Sequence, residues 1–214
     1  MKKHLIILML CFLIKLTFSQ SAINVYSHMG NIYAQANDGE TIQITYDGNN
    51  SEPILSKQRD FVVYVKSNEK DDIEEGGCYP TQICIYYFGT LSPIVLVQGC
   101  DSERNGGSYI SYANSEKYPF GGLCNVGGIF LSPDDKTIYF GTSAWAVSGA
   151  VHYCIIATKQ IYFITDGYIN KVYPTGNLNI STSRIQKGGG RIWEDWLFDK
   201  NGKKIKFLKL SDMQ

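Results

Sequence analysis

The chain has few of the features that usually announce a function. It contains three histidines and six prolines in 214 residues. No C-x-x-C pairing is present, and the two histidines beyond the N-terminal segment, His28 and His152, stand alone, so the clustered spacing of a zinc site is missing. No G-x-S-x-G elbow marks a serine hydrolase. The one triple glycine, Gly188-Gly189-Gly190, follows its lysine and precedes no helical pattern, which excludes a phosphate loop. Sustained helical periodicity with caps is absent, and β-branched and aromatic residues crowd short runs instead. An almost entirely β chain is expected.

Charge of one sign is also missing, with 20 basic against 20 acidic residues. The N-terminus carries Lys2, Lys3 and His4, an apolar run from Leu5 to Leu16, and small residues at Thr17 and Ser19. That order is a secretory signal peptide over residues 1–19, cut after Ser19. The run is short and broken by Lys15, which argues against a lasting membrane span, and Cys11 lacks the small residues that precede a lipidated cysteine. Removing Lys2, Lys3 and Lys15 leaves 17 basic against 20 acidic residues over 20–214. A mildly acidic mature chain is a poor partner for nucleic acid, whose phosphates need a positive surface. No later stretch is long enough to span a bilayer. A secreted or periplasmic single domain is expected.

Five cysteines remain after processing. Export permits oxidation, and Cys100 with Cys124, or Cys78 with Cys84, are the pairings considered; four cysteines admit three connectivities. Cys154 lies in the apolar run Val151 to Ile156 and reads as a buried thiol.

What the chain does have is internal echo. Ile42-Gln43-Ile44-Thr45-Tyr46-Asp47-Gly48 is matched by Ile161-Tyr162-Phe163-Ile164-Thr165-Asp166-Gly167. Leu55-Ser56 followed by Phe61-Val62-Val63-Tyr64 is matched by Leu131-Ser132 followed by Thr137-Ile138-Tyr139-Phe140. Self-similar short strands point to a repeated sheet unit such as a propeller blade. Four strand-turn-strand units follow: 31–36 with 41–46 across Asn37-Asp38-Gly39, 82–88 with 94–98, 151–156 with 160–165, and 193–198 with 204–208. Strands at 61–66, 137–141 and 178–183 precede the last three. The segments 69–77 and 101–127 read as loops, the second long enough to carry function.

Asn31 to Gly39 leading to Ile44-Thr45-Tyr46-Asp47-Gly48, and Phe130-Leu131-Ser132-Pro133-Asp134-Asp135-Lys136 leading to Phe140, resemble the blade repeat of the TolB-like β-propellers. The sequence departs from that pattern where Lys57-Gln58-Arg59-Asp60 replaces a Pro-Asp-Gly turn, and where Asp135 stands for the turn glycine. The resemblance implies a small propeller of four to five blades, fewer than the family's usual six, or an open partial propeller completed by a partner. A scaffold of this kind hosts many unrelated functions.

Two stretches are candidate sites. Gly141 to His152 offers Trp145, two hydroxyls and the His152 imidazole in an expected loop. Lys187 to Trp196 brings three glycines to Trp193, Glu194, Asp195 and Trp196. In a strand Trp193 and Asp195 share one face while Glu194 and Trp196 share the other, so the two carboxylates diverge and a paired acid/base reading weakens. The binding candidates are therefore Trp145, His152, Trp193, Asp195 and Trp196. The C-terminal lysines Lys200, Lys203, Lys204, Lys206 and Lys209 read as the solvated face of a last strand. Expected from the sequence is an exported, non-enzymatic propeller without cofactor or metal, binding a protein or cell-envelope component. The alternative is an exported hydrolase or lyase using His152 with Glu194 or Asp195.

Overall fold

The computed structural model describes residues 22–67, 81–99, 123–144 and 148–209. The expected signal peptide at 1–19, the acidic stretch 69–77, Cys78, Cys100, the segment 101–122 and Trp145 lie outside the described residues.

Among the described residues fifteen strands form four antiparallel sheets in chain order. The first holds β1 (Ala22–His28), β2 (Asn31–Ala36) and β3 (Thr41–Gln43). The second holds β4 (Asn50–Leu55), β5 (Phe61–Ser67), β6 (Thr81–Tyr87) and β7 (Ile94–Gln98). The third is β8 (Cys124–Leu131), β9 (Thr137–Ala144), β10 (Ser148–Ile155) and β11 (Gln160–Asp166). The fourth is β12 (Tyr168–Val172), β13 (Leu178–Ile185), β14 (Arg191–Phe198) and β15 (Lys204–Phe207). Each strand pairs with its sequence neighbour. The leading strands β1, β4, β8 and β12 also touch one another in succession, so the sheets are joined along one side.

Burial explains why some strands alternate and others do not. In β5 the residues Phe61 to Val65 are all buried, because Val62 and Tyr64 pack towards Ile32, Ala34 and Cys84 while Val63 and Val65 pack towards Val126, Ile138 and Phe140. The second sheet thus has neighbours on both faces. In β2 only Ile32, Ala34 and Ala36 are buried. In β13 Leu178 and Ile180 join Tyr139, Val151 and Phe198 in the core between the third and fourth sheets, while Ser181 and Ser183 lie on the opposite parity. Apolar cores therefore fill three inter-sheet layers.

The two turns that depart from the family pattern fold alike. Ser56 Oγ donates to Asp60 Oδ1 at 2.7 Å and accepts from the Asp60 and Phe61 amides. Ser132 Oγ donates to Asp134 Oδ1 at 2.7 Å and accepts from the Lys136 and Thr137 amides. Arg59 and Asp135 hold the left-handed positions, with φ of 61° and 57°. The turn serine and a nearby carboxylate do the work in both.

β1 and β12 lie outside the strands expected from the sequence, β3 ends at Gln43 and not at 46, and β8 begins inside the stretch expected as loop. Asp166-Gly167 forms the crossover from β11 to β12, and Asp47-Gly48 lies in the crossover from β3 to β4. The expected loop at 141–152 is mostly the paired ends of β9 and β10, with Ser148 opposite Ala144. Cys84 is a buried free thiol in the core between the first two sheets, which corrects the pairing with Cys78. Cys154 is a buried free thiol, as expected.

Candidate functional site

A cavity of about 420 Å³ opens where the third and fourth sheets meet, lined by β8, β9, β10 and β12. Glycine makes the room. Gly127 of β8 sits opposite Gly141 of β9, and β8 slips register on both sides of Gly127. At Gly149 the Tyr168 ring fills the place of the missing side chain, its Cε1 only 2.6 Å from where a Cβ would stand. That close approach brings Tyr168 from the fourth sheet over the edge of the third.

Among the described residues the wall is uncharged. Its side chains are Asn125, Thr142, Ser143, Phe130, Tyr168 and Ile169, the rest being glycine. Asn125 Nδ2 donates to Ser143 Oγ at 2.8 Å. Below the wall, Thr142 Oγ1 shares a 2.9 Å hydrogen bond with His152 Nε2.

His152 is fully buried at 0% exposure. Its ring stacks on Phe140 with centroids 5.3 Å apart and leans on Phe163 at 5.7 Å. Burial in this aromatic setting pushes its pKa down to about 3, so the imidazole is neutral at ordinary pH. It underlies the cavity rather than facing it.

At the rim, the half-exposed rings of Tyr168 (48%) and Trp193 (47%) lie 5.4 Å apart, inclined at 41°. Two residues along β14, Asp195 Oδ1 accepts hydrogen bonds from Asn170 Nδ2 at 2.9 Å and from Ser181 Oγ. Register explains the cluster, since Ser181 is directly opposite both Asp195 and Tyr168. Glu194 points the other way and pairs with Arg184 Nε at 2.6 Å, which holds its carboxyl below the usual range. The carboxylates diverge as strand alternation requires. Trp196 packs against the core between the third and fourth sheets, with Lys204 Nζ 3.4 Å over its ring and Phe207 edge-on. Of the candidates named from sequence, Trp193 meets the cavity only through its contact with Tyr168, Asp195 lies two residues along the same face of β14, turned from the core between the third and fourth sheets, Trp196 packs against that core, His152 lies beneath the cavity, and Trp145 lies outside the described residues.

No protein-family profile matches the chain, and no curated protein does. Solved structures are similar in fold. The chain overlays the propeller domain of the trilobed protease from Pyrococcus furiosus with a TM-score of 0.53 at 9% identity, over 84% of its own length and 49% of that domain. The protein has a β-propeller fold. Dipeptidyl peptidase 4 from Porphyromonas gingivalis (TM-score 0.57, 12% identity, 86% of this chain and 30% of that one) and a puromycin hydrolase (0.53, 15%, 83% and 27%) are also similar. The chain spans about half of the first of these structures and less than a third of the other two. The likeness speaks for fold alone.

As a propeller, the molecule has β1, β4, β8 and β12 as its inner strands, and the cavity lies between two adjacent blades at their inner side. Tyr168 and the cavity glycines were not singled out from sequence. The available signal was glycine inside strands, at Gly127, Gly128, Gly141 and Gly149, which marks close backbone approach.

Proposed function

We propose that the chain is an exported, TolB-like propeller of four blades, an open arc, that binds a protein or other cell-envelope partner at the cavity between its third and fourth blades. The observation that carries this reading is the half-exposed Tyr168–Trp193 pair at the mouth of a cavity whose described lining is uncharged. Aromatic residues at such exposure are the usual anchors of binding surfaces. The open arc is supported by the end sheets: in β13, Leu178 and Ile180 face the core, while Asn170, Ser181 and Asp195 form a hydrogen-bonded polar cluster on the other side. Export is supported by the leader at residues 1–19. The hydrolase or lyase reading finds no observation in its favour, because His152 is sealed from solvent and Glu194 and Asp195 lie on opposite faces of β14.

Affinity capture from a cell-envelope extract, using the protein from Gln20 onward, tests the proposal. A specific retained component that is lost with Trp193→Ala and with Tyr168→Ala is the expected result. Retention unchanged in both variants, or no retention by the wild type, overturns it.

A further inference from the structure

We infer that the ligand of this cavity is an uncharged, hydroxylated one: a sugar unit of a neutral oligosaccharide, stacked on the Trp193–Tyr168 rim. The inference rests on the binding-site reading above and specifies its ligand class.

The first argument is charge. Among the described residues no Asp, Glu, Lys, Arg or His lines the cavity, so a phosphate, a carboxylate or an ammonium group meeting them would lose its hydration without gaining an ion pair. The second is the hydrogen-bonding inventory. Ser143 brings a hydroxyl and Asn125 an amide, groups that donate and accept as sugar hydroxyls do, while the buried Thr142 hydroxyl is bonded to His152 Nε2. The third is the rim, where two half-exposed aromatic rings offer faces to the apolar C–H side of a pyranose.

A fourth feature extends the site. About 7 Å along the strand from Trp193, one pleat repeat, Asp195 is held in place by Asn170 and Ser181 through a single carboxylate oxygen. Its Oδ2 makes no bond among the described residues and is free to accept from a vicinal hydroxyl pair on the next sugar of a chain. The cavity volume, about 420 Å³, falls within the span of small-molecule sites. Together these give an inner subsite for one sugar and an outer platform for its neighbour.

Titration of the mature protein with cellohexaose, maltohexaose and chitohexaose, followed by tryptophan fluorescence and calorimetry, tests the assignment, with oligogalacturonate as the anionic control. At least one neutral hexamer should bind saturably. Trp193→Ala should weaken it by about tenfold or more, as for a central aromatic anchor, while Trp193→Phe, which keeps an aromatic face, should retain most of the affinity. The assignment is overturned if no neutral hexamer binds, if oligogalacturonate binds as well, or if Trp193→Ala leaves the affinity unchanged. Should the hexamers fail while envelope capture still depends on Trp193, the sugar class is wrong and the binding site stands. Trp193-dependent binding of a peptide in their place would assign the cavity to a protein ligand instead.

Discussion

His152 shows how a single residue's environment decides its role. An isolated histidine near two hydroxyls reads as a candidate for chemistry, yet here the imidazole is enclosed by Phe140 and Phe163 and bonded to Thr142. Its folded pKa of about 3 lies below the unfolded value near 6.5. Between those values the unfolded chain binds a proton that the native protein does not. The contribution is therefore fully present above about pH 6.5 and is lost as the pH falls towards 3, at up to about 1.4 kcal/mol per pH unit. Urea unfolding from pH 7 to 4.5 should show the midpoint dropping in the wild type and a shallower drop in His152→Leu. Parallel slopes in the two proteins would contradict this placement of the ring.

At the scale of elements, the crossovers between blades fix the site. Gly167, with φ of 138°, turns the chain from β11 into β12, and its amide donates to Gly149 O at 2.8 Å. A Cβ there would lie 2.1 Å from the Ser181 carbonyl oxygen, a contact with backbone that no side-chain rotation relieves. Gly167→Ala should cost about 3 kcal/mol or more, the range of severe overpacking and backbone strain, and should displace Tyr168, the next residue. Thermal unfolding with the cavity probed by ligand measures both effects; a wild-type melting temperature would contradict the account. The sequence made the strands legible because Phe61 to Val65, Thr137 to Phe140 and Trp193 to Phe198 are runs of β-formers bounded by turns. It also foretold the divergence of Glu194 and Asp195, a matter of period alone. Tyr168 was illegible because its importance comes from Gly149, nineteen positions earlier, leaving space for its ring.

Among the described residues the sheets stack so that the second and third bury apolar residues on both faces, while the central strands β2 and β13 of the first and fourth bury theirs on one. Adjacent blades splay enough at the third junction to leave the cavity, while Leu178, Ile180 and Phe198 close the same junction deeper down. One junction thus joins the third and fourth sheets and leaves the cavity between them. Its most direct test is to fill the cavity while leaving the core and rim in place. Ser143 is exposed on the cavity wall, so Ser143→Phe occupies the space without removing Trp193, Tyr168 or any core residue. If the cavity is the binding site, Ser143→Phe should unfold like the wild type and retain nothing specific from an envelope extract. A well-folded Ser143→Phe protein that captures the wild-type partner in full would contradict the account.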